Sequence, residues 1–341
     1  MYYIEKAKLS ELFSKIAENR SLYLPVKKNG QTNFAHWEEG TEYCDDLKTV
    51  KSAKDHFFPQ TESLMHFKTE GKKIQINQDK IPDEKTVLFG VRGCDAKSFK
   101  ILDSVFMSEP QDAFYTARRE NSVVITTACS SPDEACFCGV FGVDPADPKA
   151  DSDVVTWFAG DKLYWEAVSE KGEALTEEIK DVLSSSDEKE VEEEKARISE
   201  ITKLLPLNNM SLSAFGGDKT DALFNAPQWD KLSEACLGCG SCTFVCPTCQ
   251  CYDVRDYNGA NGIQRYRCWD SCMFSDFTMM AHGTNRPTQK QRFRQRFMHK
   301  LVYFPANNNG EFSCVGCGRC VARCPISMNI AKVIKSFGGD K

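Results

Sequence analysis

Two cysteine-rich stretches decide the fold of this chain: residues 236–247 read CLGCGSCTFVCP, and residues 314–325 read CVGCGRCVARCP. Both follow the pattern C-x2-C-x2-C-x3-C-P. With this spacing, the first three cysteines of a run hold one [4Fe–4S] cluster and the fourth binds the cluster of the other run. The glycines between the cysteines let the backbone approach a cluster closely. The proline after each fourth cysteine fixes the exit of the chain.

The exchange of the fourth cysteines predicts two ligand sets, in the manner of bacterial two-cluster ferredoxins. The first cluster is assigned to Cys236, Cys239, Cys242 and Cys324. The second cluster is assigned to Cys314, Cys317, Cys320 and Cys246. Structural zinc is the alternative, because pairs of C-x2-C also form zinc sites. Zinc takes its four thiolates from two separate pairs, whereas each run here offers four in one stretch, so the spacing favours iron–sulfur clusters.

The composition places these cysteines inside the cell. The chain has 341 residues and 17 cysteines, with 43 Lys and Arg against 49 Asp and Glu, which is ordinary for a globular protein of two or three domains. It has no apolar run long enough for a transmembrane helix. The first residues, MYYIEKAKLSELF, lack the apolar core of a secretory signal. We therefore expect a cytoplasmic protein without membrane insertion, whose reduced thiols bind metal rather than form disulfides.

Charge is distributed unevenly along the chain. Residues 226–341 carry 15 Lys and Arg against 8 Asp and Glu, and Gln289–Lys300 (QKQRFRQRFMHK) is the most basic stretch. Basic residues beside Phe293 and Phe297 could indicate nucleic-acid binding. The same spacing describes the buried face of a helix, and positive charge would offset the negative charge of iron–sulfur clusters. We favour the second interpretation and expect no nucleic-acid partner.

A third set of cysteines follows two predicted strands. Thr86–Val91 and Ser122–Thr127 are short apolar runs typical of buried strands. If they are neighbours and parallel, the cysteines after them meet at one edge of the sheet, where α/β proteins bind ligands. A short loop with the sequence CFCG follows. The spacing leaves open whether these cysteines bind a third cluster or are buried thiols: Cys94, Cys129, Cys136 and Cys138.

The remaining patterns complete a mixed fold that combines α+β and α/β features. Helical periodicity over Ala7–Asn19 and alternating runs that suggest hairpins belong to an N-terminal α/β domain, residues 1–170. An acidic helical connector and linker follows over 171–227. The C-terminal domain, 228–341, is predicted to be a bacterial two-[4Fe–4S] ferredoxin-like domain with a long insertion at 248–310. No G-x-G-x-x-G or Walker motif indicates a nucleotide site in the chain itself.

The insertion holds four further cysteines with the spacing C-x-C…C-x3-C, which matches no standard cluster motif. They could bind another cluster, but this spacing favours buried thiols, which pack as small apolar groups. Their role is left open: Cys249, Cys251, Cys268 and Cys272. Cys44 has no neighbouring cysteine in the sequence and is predicted to be incidental.

Several of these motifs together resemble a known family. Six motifs are similar to those of the iron–sulfur β subunit of cytoplasmic sulfhydrogenase-type [NiFe] hydrogenases. They are VRGCDAKSF (91–99), CFCG (136–139), CPTCQCYDV (246–254), WDSCMFSDFTMMAHGTNRPT (269–288), RQRFMHK (294–300) and CVGCGRCVARCP (314–325). They resemble equally the A subunit of anaerobic sulfite reductase and a subunit that accompanies the flavin oxidoreductase feeding heterodisulfide reductase. The likeness runs from about Thr86 to the C-terminus and excludes the acidic stretch 184–203.

The resemblance implies a non-catalytic electron-transfer subunit within a hetero-oligomeric oxidoreductase. In this family, an FAD-containing subunit exchanges hydride with NAD(P)H, and single electrons pass through the β-type subunit to a catalytic subunit. The family also has cysteines at the positions of Cys94, Cys129, Cys136 and Cys138, which implies a third [4Fe–4S] cluster. Cys268 departs from the family pattern. Two other functions stay open from the residues: a zinc-stabilised interaction module, and a self-sufficient reductase with a substrate site in the N-terminal domain.

Overall fold

A computed structural model describes residues 1–46, 49–260 and 262–338. Its strands form two separate sheets. The strands are β1 Tyr2–Glu5, β2 Ser21–Lys28, β3 Gln31–His36, β4 Thr61–Glu70, β5 Lys73–Gln78, β6 Thr86–Val91, β7 Ser122–Thr127, β8 Val154–Ala159, β9 Lys162–Ala167, β10 Ser184–Ser185, β11 Tyr252–Gly259 and β12 Gly262–Trp269.

Helices connect and cover these sheets. They are α1 Leu9–Ala17, α2 Lys54–Phe57, α3 Gly93–Phe106, α4 Ala113–Glu120, α5 Glu170–Glu178, α6 Lys189–Lys203, α7 Thr220–Phe224, α8 Gln228–Glu234, α9 Ser241–Phe244, α10 Gln289–Met298, α11 Phe304–Asn307, α12 Arg319–Arg323 and α13 Ile330–Gly338. A π-helical turn, His299–Tyr303, joins α10 to α11, and 3₁₀ turns occupy Lys6–Lys8, Cys138–Phe141 and Lys180–Val182.

The larger sheet has the order β10-β1-β9-β8-β7-β6-β2-β3 within the described residues. Its centre is parallel: β6 pairs in parallel with both β2 and β7, and β7 pairs in parallel with β8. Every residue of β6 and of β7 is buried. Strands covered on both faces read as continuous apolar runs, because neither face meets water. The sequence prediction that Thr86–Val91 and Ser122–Thr127 are neighbouring parallel strands is therefore confirmed.

Helices cover both faces of this sheet. Phe13 of α1 and Leu175 of α5 pack in one hydrophobic cluster with Phe89 and Ile125. On the opposite face, Phe99 of α3 packs in a cluster with residues of β6 and β7. The helix α6 adds Val191 and Ile198 to a cluster over β8 and β9. The acidic segment after residue 170 thus lies against the sheet, while the limits of its predicted connector, 171–227, stay a prediction.

The smaller sheet joins distant parts of the sequence. Its order is β11-β12-β4-β5, so the hairpin β11–β12 of the insertion pairs with the hairpin β4–β5 of the N-terminal region. The antiparallel register places Ile263 opposite Phe67 and Cys268 opposite Thr61. All of β5 is exposed. The sequence analysis did not predict this sheet.

The C-terminal residues form helices around a separate hydrophobic cluster. Its members include Trp229 of α8, Phe293 and Phe297 of α10, and Ile334 of α13. Two of the shortest helices, α9 and α12, lie inside the two cysteine runs. The predicted mixed α/β character is confirmed, and the described residues contain no helix long and apolar enough to cross a membrane.

Candidate iron–sulfur sites

The two cysteine runs form matching loops. Gly240 and Gly318 have φ values of 74° and 73°, and each immediately precedes a short helix that carries the third cysteine of its run. A positive φ favours glycine because other residues lose energy in this conformation. Each loop therefore reverses sharply between its second and third cysteines.

The first loop and the end of the second run enclose one cavity. Its lining contains Cys236, Cys239, Cys242 and Cys324. Gln289 Nε2 donates a hydrogen bond to Cys236 Sγ at 3.3 Å, and Cys239 is exposed at the rim. The structure thus brings together the four thiols predicted for the first cluster, including the one from the distant run. Their binding of iron stays a prediction.

The second loop and the end of the first run enclose another cavity. Its lining contains Cys314, Cys317, Cys320 and Cys246. Cys246 is buried and lies 3.3 Å from Thr248 Oγ1. These are the four thiols predicted for the second cluster. The reciprocal exchange places Cys246 and Cys324 each in the cavity of the opposite loop.

A third cavity lies beyond the ends of β6 and β7, where the sequence predicted that thiols would meet. Cys94 stands in the first turn of α3, and the CFCG loop folds over the same space. The cavity encloses about 540 Å³ free of protein atoms, part of it open to solvent. It is lined by Cys94, Cys129, Cys136 and Cys138, together with Cys317.

The third and second cavities share a wall. Cys317 lines both of them. Phe137 of the CFCG loop donates its backbone N–H to Gly316 O at 2.9 Å. A Cβ atom on Gly316 would lie 2.3 Å from Phe137 O, so only glycine allows the two loops to come this close. The two cysteine-lined sites are therefore held in direct contact by backbone packing.

Buried cations surround the second cavity. Arg296 and Lys300 both line it and are almost fully buried. Arg296 Nη2 donates to Cys242 O at 3.0 Å, while its Nε and Nη1 are buried without a hydrogen-bond partner among the described residues. Burying an unpaired charge is unfavourable unless an opposite charge compensates it. A [4Fe–4S] centre with four thiolates carries a charge of about −2, so the residues present fit this group.

Lys54 connects the N-terminal region to the same site. Its Nζ donates to Cys246 O at 2.9 Å and to Cys249 O at 2.8 Å, and it lies 3.8 Å from the ring centre of Trp269. Burial lowers the pKa of Lys54. For Lys300, burial also disfavours the charged form, but the electrostatic attraction of the nearby cysteines, Cys246 first among them, outweighs it and raises the pKa.

Several of the candidate ligands are protonated thiols in the metal-free protein. Burial raises the pKa of Cys314 and of Cys138 to about 12, and that of Cys242 to about 11. Metal ligands must be deprotonated, so cluster assembly releases protons from these sites.

None of the four cysteines of the insertion is among the residues that line these three cavities. Hydrogen bonding to the Cys272 thiol is the main cause that lowers the pKa of Cys251 to about 7. Hydrogen bonding between Cys249 and Cys246 raises the pKa of Cys249 and lowers that of Cys246. Cys268 lies on β12, apart from the cavities. Cys44 is 3.6 Å from Thr32 Oγ1 and contributes to none of the cavities.

Sequence reasoning identified the thiols but missed several of the side chains that hold them in place. The basic stretch 289–300 was expected to bury its phenylalanines and to offset cluster charge, and Phe293 and Phe297 are buried as expected. Its spacing did not indicate that Arg296 and Lys300 enter the second cavity. No local signal marks Lys54, because its partners lie about 190 positions away.

Comparison with known proteins identifies the family. A family model described as "4Fe-4S dicluster domain" matches residues 235–328, which include both cysteine runs. The chain is 35% identical over 335 residues to Sulfhydrogenase 2 subunit beta of Pyrococcus furiosus, covering 95% of this chain and 94% of that protein. The chain belongs to the sulfhydrogenase beta-subunit family.

Membership in this family decides between the two metals that the sequence left open. The C-terminal match is to a domain that holds [4Fe–4S] clusters, and the family likeness extends across the N-terminal sheet as well. The predicted family and the predicted iron–sulfur chemistry are confirmed. This family member is an iron–sulfur electron-transfer subunit, whereas the number of its clusters stays a prediction.

Proposed function

We propose that this chain relays electrons through three [4Fe–4S] clusters within a cytoplasmic, hetero-oligomeric oxidoreductase. One partner is an FAD- and NAD(P)-binding flavoprotein subunit. The other is a catalytic subunit of hydrogenase, sulfite reductase or heterodisulfide reductase type. The name of the Pyrococcus furiosus relative, a subunit of a sulfhydrogenase, supports an assembly of several subunits.

The continuity of the three cysteine-lined cavities carries this proposal. Cys317 forms a common wall between the third and second cavities. Arg296 lines the second cavity and reaches Cys242 of the first through a hydrogen bond to its carbonyl oxygen. The order is therefore third, second, first. A continuous row of redox sites suits an electron relay, whereas a single isolated site would suit a local structural or catalytic role.

The clusters, when bound, supply one-electron transfer. The protein contributes position, burial and charge. Thiols on two rigid loops fix the second site, and the buried ammonium of Lys300 bonds Thr248 Oγ1 at 2.7 Å and Ser313 O at 3.0 Å beside it. The apolar packing of Phe137 and Ile330 in the cavity wall excludes water from this site.

The row of sites has two ends, the third site and the first site, and the first site is the end closer to solvent. Cys239 is exposed, and the neighbouring Leu237 is 68% exposed. An apolar side chain in open solvent beside a redox site suits contact with another protein, because a partner would cover it. Electrons would then enter or leave through this face.

Anaerobic metal analysis tests the proposal. We expect the purified chain to be brown and to contain about twelve irons, as three [4Fe–4S] clusters require. Cys138→Ser, Cys317→Ser and Cys239→Ser are each expected to lose or alter one cluster and to stop electron transfer from a flavoprotein partner. Cys44→Ser is the matched control, because this thiol lines none of the three cavities.

Two results would contradict the proposal. Zinc in place of iron would indicate an interaction module, and full iron content with unchanged turnover in all three variants would refute the assigned ligands. Reduction of sulfite, or oxidation of NAD(P)H with a dye, by the pure chain would indicate a self-sufficient reductase rather than a relay.

A further inference from the structure

The first and second sites differ in their buried charge. The second cavity is lined by two cationic side chains, Arg296 and Lys300, which are 2% and 3% exposed. No Lys, Arg or His is among the described residues that line the first cavity, whose walls are mainly backbone and apolar groups such as Met273 and Ile326. The two loops have the same backbone geometry, so this difference comes from side chains outside the cysteine runs.

Neutral groups hold both cations in place. The two hydrogen-bond acceptors of Lys300 Nζ are the Thr248 hydroxyl and the Ser313 carbonyl oxygen. Arg296 donates to the Cys242 carbonyl oxygen. Among the described residues, neither cation forms a salt bridge with a carboxylate. Their positive charge is therefore directed at the thiolates and the bound group.

Arg319 of the second cysteine run, unlike Arg296 and Lys300, is paired with a carboxylate. Its guanidinium binds Asp95 with distances of 2.5 Å and 2.7 Å, so a buried carboxylate neutralises it. Arg319 lines the third cavity, not the second. The positive charge in the lining of the second cavity thus comes from Arg296 and Lys300. Lys54 lies behind this lining, on the carbonyl oxygens of Cys246 and Cys249.

Fixed positive charge favours the more negative redox state of a cluster. Reduction adds one electron, and a cation a few ångströms away stabilises the added charge strongly where little water screens it. Net charge and hydrogen bonding are the means by which a protein sets cluster potentials. Arg296 contacts both loops, but Lys300 lines only the second cavity.

On this basis, which presupposes the iron–sulfur occupancy proposed above, we infer that the cluster held by Cys314, Cys317, Cys320 and Cys246 is more easily reduced than its neighbour. Lys300, assisted by Arg296, sets this order. The reaction is the gain of one electron by the second cluster from the reduced first cluster. A single electron in the two-cluster domain therefore rests at the second site.

A redox titration followed by EPR tests this inference on the full-length holoprotein. Besides the signal of the third cluster, which Cys138→Ser identifies, we expect one reduction step for each of the two ferredoxin-type clusters, and the second cluster has the higher potential of the two. Cys239→Ser, which removes a ligand of the first cluster only, assigns the two signals. If the first cluster is reduced at the higher potential in the unaltered protein, the inference is wrong whatever the variants do.

Lys300→Met then removes the charge while keeping much of the side-chain length. At a fixed solution potential, we expect the ratio of reduced to oxidised second cluster to fall at least tenfold, which is 59 mV for a one-electron couple. The first cluster changes less. Lys290→Met, on the exposed side of α10 and paired with Asp230, is the matched control and leaves both potentials unchanged.

The outcomes separate this inference from the proposed function. Absence of [4Fe–4S] signals from the unaltered protein would overturn the relay itself. Normal signals with an unchanged second potential in Lys300→Met would overturn only the assigned role of this residue. If Lys300→Met loses iron, Arg296→Lys, which keeps the charge, is compared with Arg296→Gln, which removes it. An equal potential of the second cluster in both variants, together with a first cluster that is reduced at the higher potential, would count against the inference.

Discussion

Arg319 binds Asp95 through two hydrogen bonds of 2.5 Å and 2.7 Å, both side chains being almost fully buried. Arg319 lies between two cysteines of the second run, and Asp95 follows Cys94 of the third set. The same guanidinium donates to Thr49 O and Thr49 Oγ1, each at 2.9 Å. A single buried ion pair therefore fixes the ferredoxin-like loop against the N-terminal sheet.

Removing one member of this pair is expected to destabilise the protein strongly. Asp95→Ala leaves Arg319 buried without its counter-charge, and such changes reduce the free energy of unfolding by about 3–5 kcal/mol. Anaerobic urea denaturation of the holoprotein measures the effect. Asp83→Ala, which breaks an exposed pair with Lys80, is the control and is expected to leave the stability nearly unchanged, because solvent screens an exposed pair. Similar losses in both variants would contradict this role of the buried pair.

The close packing of Gly316 on Phe137 leads to a second prediction. Gly316→Ala places a methyl group 2.3 Å from Phe137 O, so the second loop and the CFCG loop must separate. We expect a loss of about 1–3 kcal/mol in stability from the overpacking, together with a changed EPR spectrum of the second or third cluster. Gly310→Ala is the matched control, because Gly310 also has a positive φ but nothing within 4 Å of the added methyl. An unchanged spectrum in Gly316→Ala would argue against contact between the two sites.

His56 gives the protein an acid-sensitive element. Burial, with a smaller contribution from Arg118, lowers the pKa of His56 to about 4. Its Nε2 lies 3.0 Å from Thr86 Oγ1 at the start of β6. Since the unfolded chain takes up this proton near pH 6.5, stability is complete above that pH and falls as the pH decreases from about 6.5 to about 4.

The expected loss of unfolding free energy from His56 is about 3.5 kcal/mol over this range, because each pKa unit corresponds to about 1.4 kcal/mol. His56→Gln removes the share of His56 and leaves that of His299, whose pKa burial also lowers to about 4. Denaturation at a series of pH values between 7 and 5 would measure the difference. His282→Gln alters an exposed histidine and is expected to keep the dependence of unfolding free energy on pH seen in the unaltered protein. If unfolding free energy depends on pH in His56→Gln as it does in the unaltered protein, His56 is excluded as a titrating group.

Exposure predicts the order in which iron is lost. Cys239 of the first site is exposed, whereas Cys246 of the second site is buried. A hydrophilic iron chelator is therefore expected to remove the first cluster several-fold faster, because solvent access limits the attack. Time-resolved EPR during chelation would follow each signal. Loss of both clusters at the same rate would indicate global opening of the domain instead.

Local patterns were enough to predict much of the site. The repeated C-x2-C-x2-C-x3-C-P spacing predicted which thiols share the first two cavities, because three of each set lie within one tight loop. The apolar runs Thr86–Val91 and Ser122–Thr127 predicted buried parallel strands, and hence the meeting of Cys94 with Cys129. In each case, the signal lies in consecutive residues that fold together.

Features that depend on long-range pairing gave no such signal. The smaller sheet pairs β4 with β12, about 200 positions apart, and nothing in either strand specifies the partner. Lys54, Asp95 and Arg319 look like ordinary surface charges in the sequence, although each is buried by residues from a distant segment. Burial of a charge is a property of the assembled fold, so sequence spacing alone does not reveal it.

The pairing of β4 with β12 has a consequence for how this protein can be divided. Excision of the cluster-binding half would expose a bare sheet edge on each fragment, and exposed edges promote aggregation. The two halves are thus not interchangeable modules, despite the ferredoxin pattern of one of them.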